Sequence, residues 1–464
     1  MSTSSVLQQA AQSILSGVTN SQLDVNTLVS ALVTGATAAQ SSTIAIAQQS
    51  DNTQLSALGT LQSSMTNLQS SLAGLSDGSI FTQLGATMSG TGITATTTTG
   101  AAAGSYSVSV QQIATANQIS SKAYAANATL GTGNLNIGVG SSTMTIALTS
   151  SNNTLAGIAS AINSASNNPG VTASVVTGTD GQHLVLTSTQ TGAANTVTVS
   201  ADPTVDTGMA TANFTQVTAG QDAKLTISGT AVDSASNNVT TALSGVTLSL
   251  TSASVGTTQT LSVATNTSSI VTAIGNFATA YNSWISTVKS LTSYDSTSHA
   301  AGPLLGDAMT NSAVNGISSI MASGVVVGGT TYSLAQLGVN LNDDGTVTFS
   351  SSTLQSTLAA TPSMVSNTFN GTNGIGEQLT AFISSYTTAV TGQFAQRQST
   401  LQADLTTQQT ALTNLSAYQA TLTSQYQAEF TQLNTIMSQT QSNTTYLNQL
   451  FGGNGAAGTL NKTA

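Results

Sequence analysis

One apolar stripe runs from Glu377 to Gln441, a stretch with no proline and a single glycine, Gly392. Its apolar residues fall mostly three and four apart, at Leu379, Phe382, Ile383, Tyr386, Val390, Phe394, Leu401, Leu405, Leu412, Leu415, Leu422, Tyr426, Phe430, Leu433 and Ile436. That spacing puts them on one face of a helix. At about 1.5 Å per residue, the stretch makes a rod on the order of 100 Å long, more than one small core can cover. Such a rod requires a partner.

A matching seam lies near the other end of the chain. Leu58, Leu61, Met65, Leu68, Leu72 and Leu75 recur in alternating steps of three and four, the a and d positions of a coiled coil. An ordinary helical bundle would satisfy the same spacing. The facing positions on the C-terminal rod are Leu401, Leu405, Leu412, Leu415, Leu422, Tyr426 and Leu433. Pairing the two seams brings the chain ends together. The expected fold is α+β and multidomain, a helical coiled-coil stem formed by the N- and C-terminal segments with inserted β-rich head domains.

Read in order, residues 1–45 form a disordered segment that leads into a short amphipathic stretch, and 46–80 form the N-terminal stem helix, ended by Asp77-Gly78. Residues 81–265 shift to a period of two and read as β-rich heads, with a compact ββαββ-like unit at about 130–195. In that unit Thr154 is the expected N-cap of a helix through Leu155, Ile158 and Ile162. Residues 266–375 supply a helix and a hairpin, the latter turning at Asn342 to Gly345. The lone tryptophan, Trp284, sits on an apolar helical stripe and reads as core. Residues 376–451 are the C-terminal coiled-coil helix, and 452–464 a flexible tail.

Composition narrows the function. Of 464 residues only 4% are charged, with five Lys and Arg against fifteen Asp and Glu. A chain so poor in cations does not neutralise phosphates, which argues against nucleic acid and against anionic membrane surfaces. Cysteine is absent, which removes disulfides and thiolate metal sites. No signal-peptide pattern begins the sequence, and no run of 18 consecutive apolar residues suggests membrane insertion. With few ion pairs to titrate or screen, assembly through these surfaces is expected to tolerate acid and changing salt.

No catalytic constellation is visible. The two histidines, His183 and His299, lie far apart in sequence, in a strand and a loop respectively. The nearest carboxylate pairs, Asp202 with Asp206 and Asp343 with Asp344, sit in turn-like sequence without the loop that a calcium site needs. No nucleophile elbow, zinc-protease or phosphate-loop motif occurs. The expectation is a protein that is not an enzyme and uses no cofactor or metal.

Several segments, in order, resemble the flagellar hook-associated protein 2 family, the filament caps. "LDVNTLVSALV" (Leu23 to Val33) is similar to the family's N-terminal signature, and "AAGSYSVSVQQIATANQISS" (Ala102 to Ser121) to its first β segment. "TLAGIASAINSASNNPGVTASVV" and "HLVLTSTQTGAAN", within Thr154 to Asn195, resemble the hook IN motif of flagellar axial proteins. "GQDAKLTISGTAV" and "NNVTTALSGVTLSLTS", within Gly220 to Ser252, resemble the opening of the family's C-terminal region, and Leu422 to Phe451 resembles its end.

The resemblance implies a homo-oligomeric ring, expected to be a pentamer, at the filament tip, where it guides insertion of exported flagellin and prevents its loss. It also implies export by the flagellar type III apparatus, a dedicated export chaperone, and contact with junction proteins at the hook-filament boundary. Leu23, Val25, Leu28, Tyr446 and Leu447 are then the expected leg and filament contacts. Cap proteins also serve as adhesins, so host or surface glycans join the partners. Two alternatives stay open: a Ser/Thr-rich adhesin binding glycan or mucin, and another axial protein such as a junction protein or flagellin.

Overall fold

The computed structural model describes residues 25–327 and 330–451. The expected disordered start, the tail at 452–464 and the contact residue Leu23 lie outside the described residues. The chain divides into two compact units. A terminal unit takes the chain up to Asp77 and again from Ala273, and a head unit comprises Gly78–Thr272.

The described part of the terminal unit begins with one continuous helix, α1 (Val25–Ser76). The sequence reading placed a boundary at residue 45, but nothing between the amphipathic start and the leucine seam breaks a helix. Gln, Ala, Ser and Thr fill that interval, and Gly35 is tolerated inside it. By length and composition α1 is also long and apolar enough to cross a membrane. Counting uninterrupted apolar runs missed this because threonine and serine are dispersed among its alanines and isoleucines.

The head unit opens with a single turn, α2 (Ser79–Thr82), followed by β1 (Leu84–Met88), β2 (Ile93–Thr97), β3 (Gly104–Gln112) and β4 (Ala116–Ser120). Next come β5 (Gly133–Val139), β6 (Ser142–Leu148), α3 (Leu155–Ser164), β7 (Val171–Thr177), β8 (Gln182–Thr191) and β9 (Val197–Ala201). The unit then continues with β10 (Thr215–Thr218), β11 (Ala223–Ile227), β12 (Thr230–Ser234), β13 (Asn238–Leu243), β14 (Val246–Leu250) and β15 (Thr258–Thr265).

Two cores result. An antiparallel sheet ordered β1-β15-β3-β11-β12 and a smaller one ordered β13-β14-β2 enclose Val108, Val110, Leu225, Leu248 and Leu261. The alternation of "SVSV" in β3 places both valines inward, as a period of two requires. A second core, with Leu135, Ile137, Ile158, Ile162 and Leu186, lies among the sheets β6-β5-β9 and β10-β4-β8-β7 and α3. Thr154 caps α3 by accepting from the Gly157 N–H. β7 ends its sheet, and Asn163 and Asn168 bond both the N–H and the C=O of Ala173 and Val171. Those amides stand where another strand would pair, which blunts that edge.

The remaining helices are α4 (Thr267–Thr292), α5 (Ala308–Ser323), α6 (Ser351–Ala360), α7 (Pro362–Asn370), α8 (Ile375–Thr387) and α9 (Gln393–Phe451). Phe277 on α4 meets Phe369 on α7 edge to face, with ring centroids 6.0 Å apart, and Trp284 is wholly buried beside Tyr281. Gly316 on α5 permits close approach of α8: a Cβ there would stand 2.2 Å from Phe382 Cζ.

The expected single C-terminal rod is two helices, α8 and α9, separated by Thr388 to Gly392. Val390 sits there at φ 72° with its side chain 84% exposed, so it is no part of the apolar stripe. At Gly392 a Cβ would lie 2.5 Å from the carbonyl oxygens of Tyr386 and Thr388, and only glycine fits that corner.

Candidate functional site

The stem is the element that organises the terminal unit. On α1 the seam residues Leu58, Leu61, Met65, Leu68, Leu72 and Leu75 are all buried, facing α8 and α9. Each such side chain contributes about 1.5–3 kcal/mol by leaving water. On α9, Leu401, Leu415 and Leu422 are buried, while Leu405, Leu412 and Tyr426 are half-buried. Near the start of α1, Val29 and Val33 pack with Leu422, with Val25, Tyr426 and Phe430 against them.

Leu433 departs from the expected seam and is 43% exposed. α1 and α9 run antiparallel, since Gln62 meets Gln398 while Thr37 meets Gln419. Continued in that direction, the pairing places the start of described α1 beside Phe430, and Leu433 falls past the overlap. The expected leg contacts divide similarly. Leu28 is buried against Phe430, which turns it inward instead of toward a filament. Val25 is half-buried against the neighbouring cluster of Val29, Val33 and Leu422, and Tyr446 and Leu447 are exposed.

A series of polar contacts joins the helices. Gln69 Nε2 donates to Ser384 Oγ at 2.9 Å and its Oε1 accepts from Thr387 Oγ1 at 3.2 Å. Gln398 Nε2 donates to Gln62 Oε1 at 3.0 Å, and Arg397 to Gln54 Oε1 at 3.2 Å. Gln408 Nε2 donates to Asp51 Oδ2 at 2.6 Å, and Gln419 Nε2 to Thr37 Oγ1 at 2.7 Å. None of these is an ion pair.

The hydrophobic pattern overlooked these residues although their spacing announces them. Leu401, Leu405, Gln408, Leu412, Leu415, Gln419 and Leu422 follow one unbroken three-four series, as do Asp51, Gln54, Leu58, Leu61 and Met65. Polar groups therefore occupy seam positions. Such substitutions fix register at a cost in stability.

The remaining titratable groups serve local structure. His183 Nδ1 faces the Ser121 carbonyl oxygen at 2.8 Å and Nε2 faces Asp180 at 3.1 Å, and these two acceptors raise its pKa. Asp206 accepts from the Gly208 N–H at 2.7 Å and from Tyr124 at 3.0 Å, and pairs with Lys122 at 3.1 Å. Asp202 accepts from the Asn134 N–H. Asp344, in the exposed hairpin turn, pairs with Lys289 of α4 at 3.0 Å, and bonds from Thr346 hold its carboxyl down at about 2. His299 lies in a loop of the terminal unit. Among the described residues no group of three or more His, Asp or Glu is placed to hold a metal ion.

The family model described as "Flagellar hook-associated protein 2 C-terminus" matches residues 220–442, and "Flagellar hook-associated protein 2 N-terminus" matches 21–117. The "Flagellin hook IN motif" matches 134–190, which is the β5 to β8 segment with α3. The flagellar hook-associated protein 2 of Escherichia coli strain K12 is 32% identical over 467 residues, covering 94% of this chain and 97% of that protein. The B-type flagellar hook-associated protein 2 of Pseudomonas aeruginosa is 30% identical over 437 residues, covering 87% and 91%. Among solved structures, the D1-D2-D3 domains of the flagellar cap protein FliD from Escherichia coli are similar at a TM-score of 0.54 and 31% identity, covering 74% of this chain and 99% of that one. Helices at both ends, a β-rich middle and a match along nearly the whole length place the chain in the flagellar hook-associated protein 2 family.

Proposed function

We propose that this protein is a structural cap at the distal tip of the bacterial flagellar filament, promoting ordered polymerisation of flagellin and preventing its loss to the medium. The observation that carries this reading is the match to Escherichia coli flagellar hook-associated protein 2 over 94% of the chain, joined to the likeness to the FliD cap structure. The cap acts without catalysis. Copies of the chain form a ring, with the pentamer as the working stoichiometry, and the terminal helices are the legs that touch flagellin. Tyr446 and Leu447, exposed near the end of α9, are the leg contacts favoured by their accessibility.

Export through the flagellar type III apparatus, with its chaperone, delivers the chain to the tip, beyond the junction proteins. α1 then belongs to a stem and not to a membrane span: Val29 and Val33 at its apolar start pack with Leu422 of α9, and its leucine seam faces α8 and α9.

Deleting the gene and measuring flagellin in the medium alongside filaments on cells tests the proposal. Abundant secreted monomer with bare hooks, reversed by added purified protein, is the expected result. Normal filaments would overturn it and turn attention to binding of host or surface glycans.

A further inference from the structure

At the corner between α8 and α9, the Thr391 N–H donates to the Ala389 carbonyl oxygen at 2.9 Å, closing a three-residue turn around Val390 at φ 72°. A turn of this hand is the rare and strained form. A β-branched residue is ill suited to that backbone region, and a side chain 84% exposed gains no packing in return. The flanks hold the turn in place. Tyr386 of α8 and Phe394 of α9 meet edge to face with ring centroids 6.1 Å apart. Strained backbone persists where its surroundings overdetermine it, and switch regions are among those places.

The rest of the corner is already bonded as a helix. The N–H groups of Thr388, Gly392 and Gln396 donate to the carbonyls of Ser384, Thr388 and Gly392, each four residues back, at 3.0, 2.8 and 3.1 Å. Tyr386, Val390 and Phe394 are also four apart, so a continuous helix would set Val390 in the apolar stripe between the two rings. Threonine is no bar to such a helix. On α9, Thr406, Thr407, Thr410 and Thr413 each return their hydroxyl to the carbonyl four residues back.

We propose that the α8–α9 corner is a spring that stores length in the stem: when Val390 takes a helical φ the two helices fuse, and α9 slides one seam step along α1. Eight residues of helix advance about 12 Å, yet the rings of Tyr386 and Phe394, eight residues apart, stand 6.1 Å from each other. Fusion restores the missing advance. A seam of three-four spacing accepts α9 only at registers about 3.5 residues apart, so the slide is a discrete step of about 5 Å. Leu401 then takes the place of Leu405, and Leu412 that of Leu415. The step carries Gln408 off Asp51 and Gln419 off Thr37, whose bonds of 2.6 and 2.7 Å hold the short register. Turn strain pulls one way and these latches the other. The slide does not depend on the cap reading; on that reading it moves Tyr446 and Leu447 along the stem axis.

Pulsed electron spin distance measurement on the full chain tests the spring. Labels go on Ser70→Cys of α1 and Ala417→Cys of α9, both exposed positions in a protein without native cysteine. Movement of α9 away from α8 lengthens their separation by about 5 Å. Thr388→Ala, Val390→Ala, Thr391→Ala and Gly392→Ala combined give the corner full helix propensity and deny it the turn. This variant is expected to shift the main distance to the longer value. Val390→Gly, which relieves the turn, is expected to keep the short distance and raise the melting midpoint. An unchanged distance in the alanine variant would overturn the proposal, as would loss of any defined distance. A lower midpoint in Val390→Gly would overturn it as well.

Discussion

Thr37 and Gln419 meet across the stem with Gln419 Nε2 2.7 Å from Thr37 Oγ1, and the same hydroxyl donates to the Val33 carbonyl oxygen at 2.8 Å. Thr37 is buried, so its hydroxyl is used in both directions inside the interface. Thr37→Val keeps the shape and strands the Gln419 donor, which costs about 1–3 kcal/mol. Replacing both partners, as Thr37→Val with Gln419→Leu, removes the stranded donor and recovers most of the loss. A double-mutant cycle by urea unfolding checks this, and additive losses would exclude the pairing.

Burial separates three leucines that the sequence pattern treats alike. Leu68→Asp puts an unpaired carboxylate among fully buried side chains and is expected to cost about 4 kcal/mol or more. Leu415→Asp, also at a buried position, acts in the same direction. Leu433→Asp, at an exposed position, is expected to change stem stability by less than about 0.5 kcal/mol. Circular dichroism melts of the three variants measure the order, and filament growth in cells reports its effect on capping.

Gly316→Ala should disturb the packing of α5 on α8, because the added methyl would fall 2.2 Å from Phe382 Cζ on the facing helix. Overpacking of this kind costs about 1–3 kcal/mol. Trp284, the sole tryptophan and fully buried in the same unit, reports unfolding by the red shift of its emission. A midpoint equal to that of wild type would contradict the packing described.

His183 sets a pH dependence for the head unit. The Ser121 carbonyl and Asp180 raise its pKa above the ordinary 6.5. The folded form therefore holds the proton more tightly than the unfolded chain. The stabilisation is full below about pH 6.5 and is lost as pH rises through the folded value. His183→Gln should flatten head-unit stability between about pH 6 and about pH 8, measured by denaturant titration at each pH. A wild type already flat across that range would refute the assignment.

How much of this was readable beforehand depended on what each signal reports. The leucine series from Leu58 to Leu75 announced its own burial, because six apolar positions in step leave one face that must be covered. Asp51, Gln408 and Gln419 share that geometry and escaped notice, since a hydrophobic pattern counts them as surface. The break before α9 was not legible for a different reason. The β-branched residues Thr387, Thr388, Val390 and Thr391 ahead of Gly392 weaken helix propensity there, but the apolar spacing runs on through Val390 and hides the break. Leu433 fits the period perfectly well. It lies past the described start of the partner helix, and such an overlap is a property of the pair.

The antiparallel closure of α1 on α9 also sets a clock. Thr37 and Gln419 are separated by 382 residues, so α1 waits until nearly the whole polypeptide has been made before its partner exists. Contacts this remote in sequence form late, after the local hairpins of the head unit have had time to fold. Until then the leucine face of α1 is bare and prone to stick to other chains. The last described helices to emerge, α8 and α9, are the ones that make α1 safe.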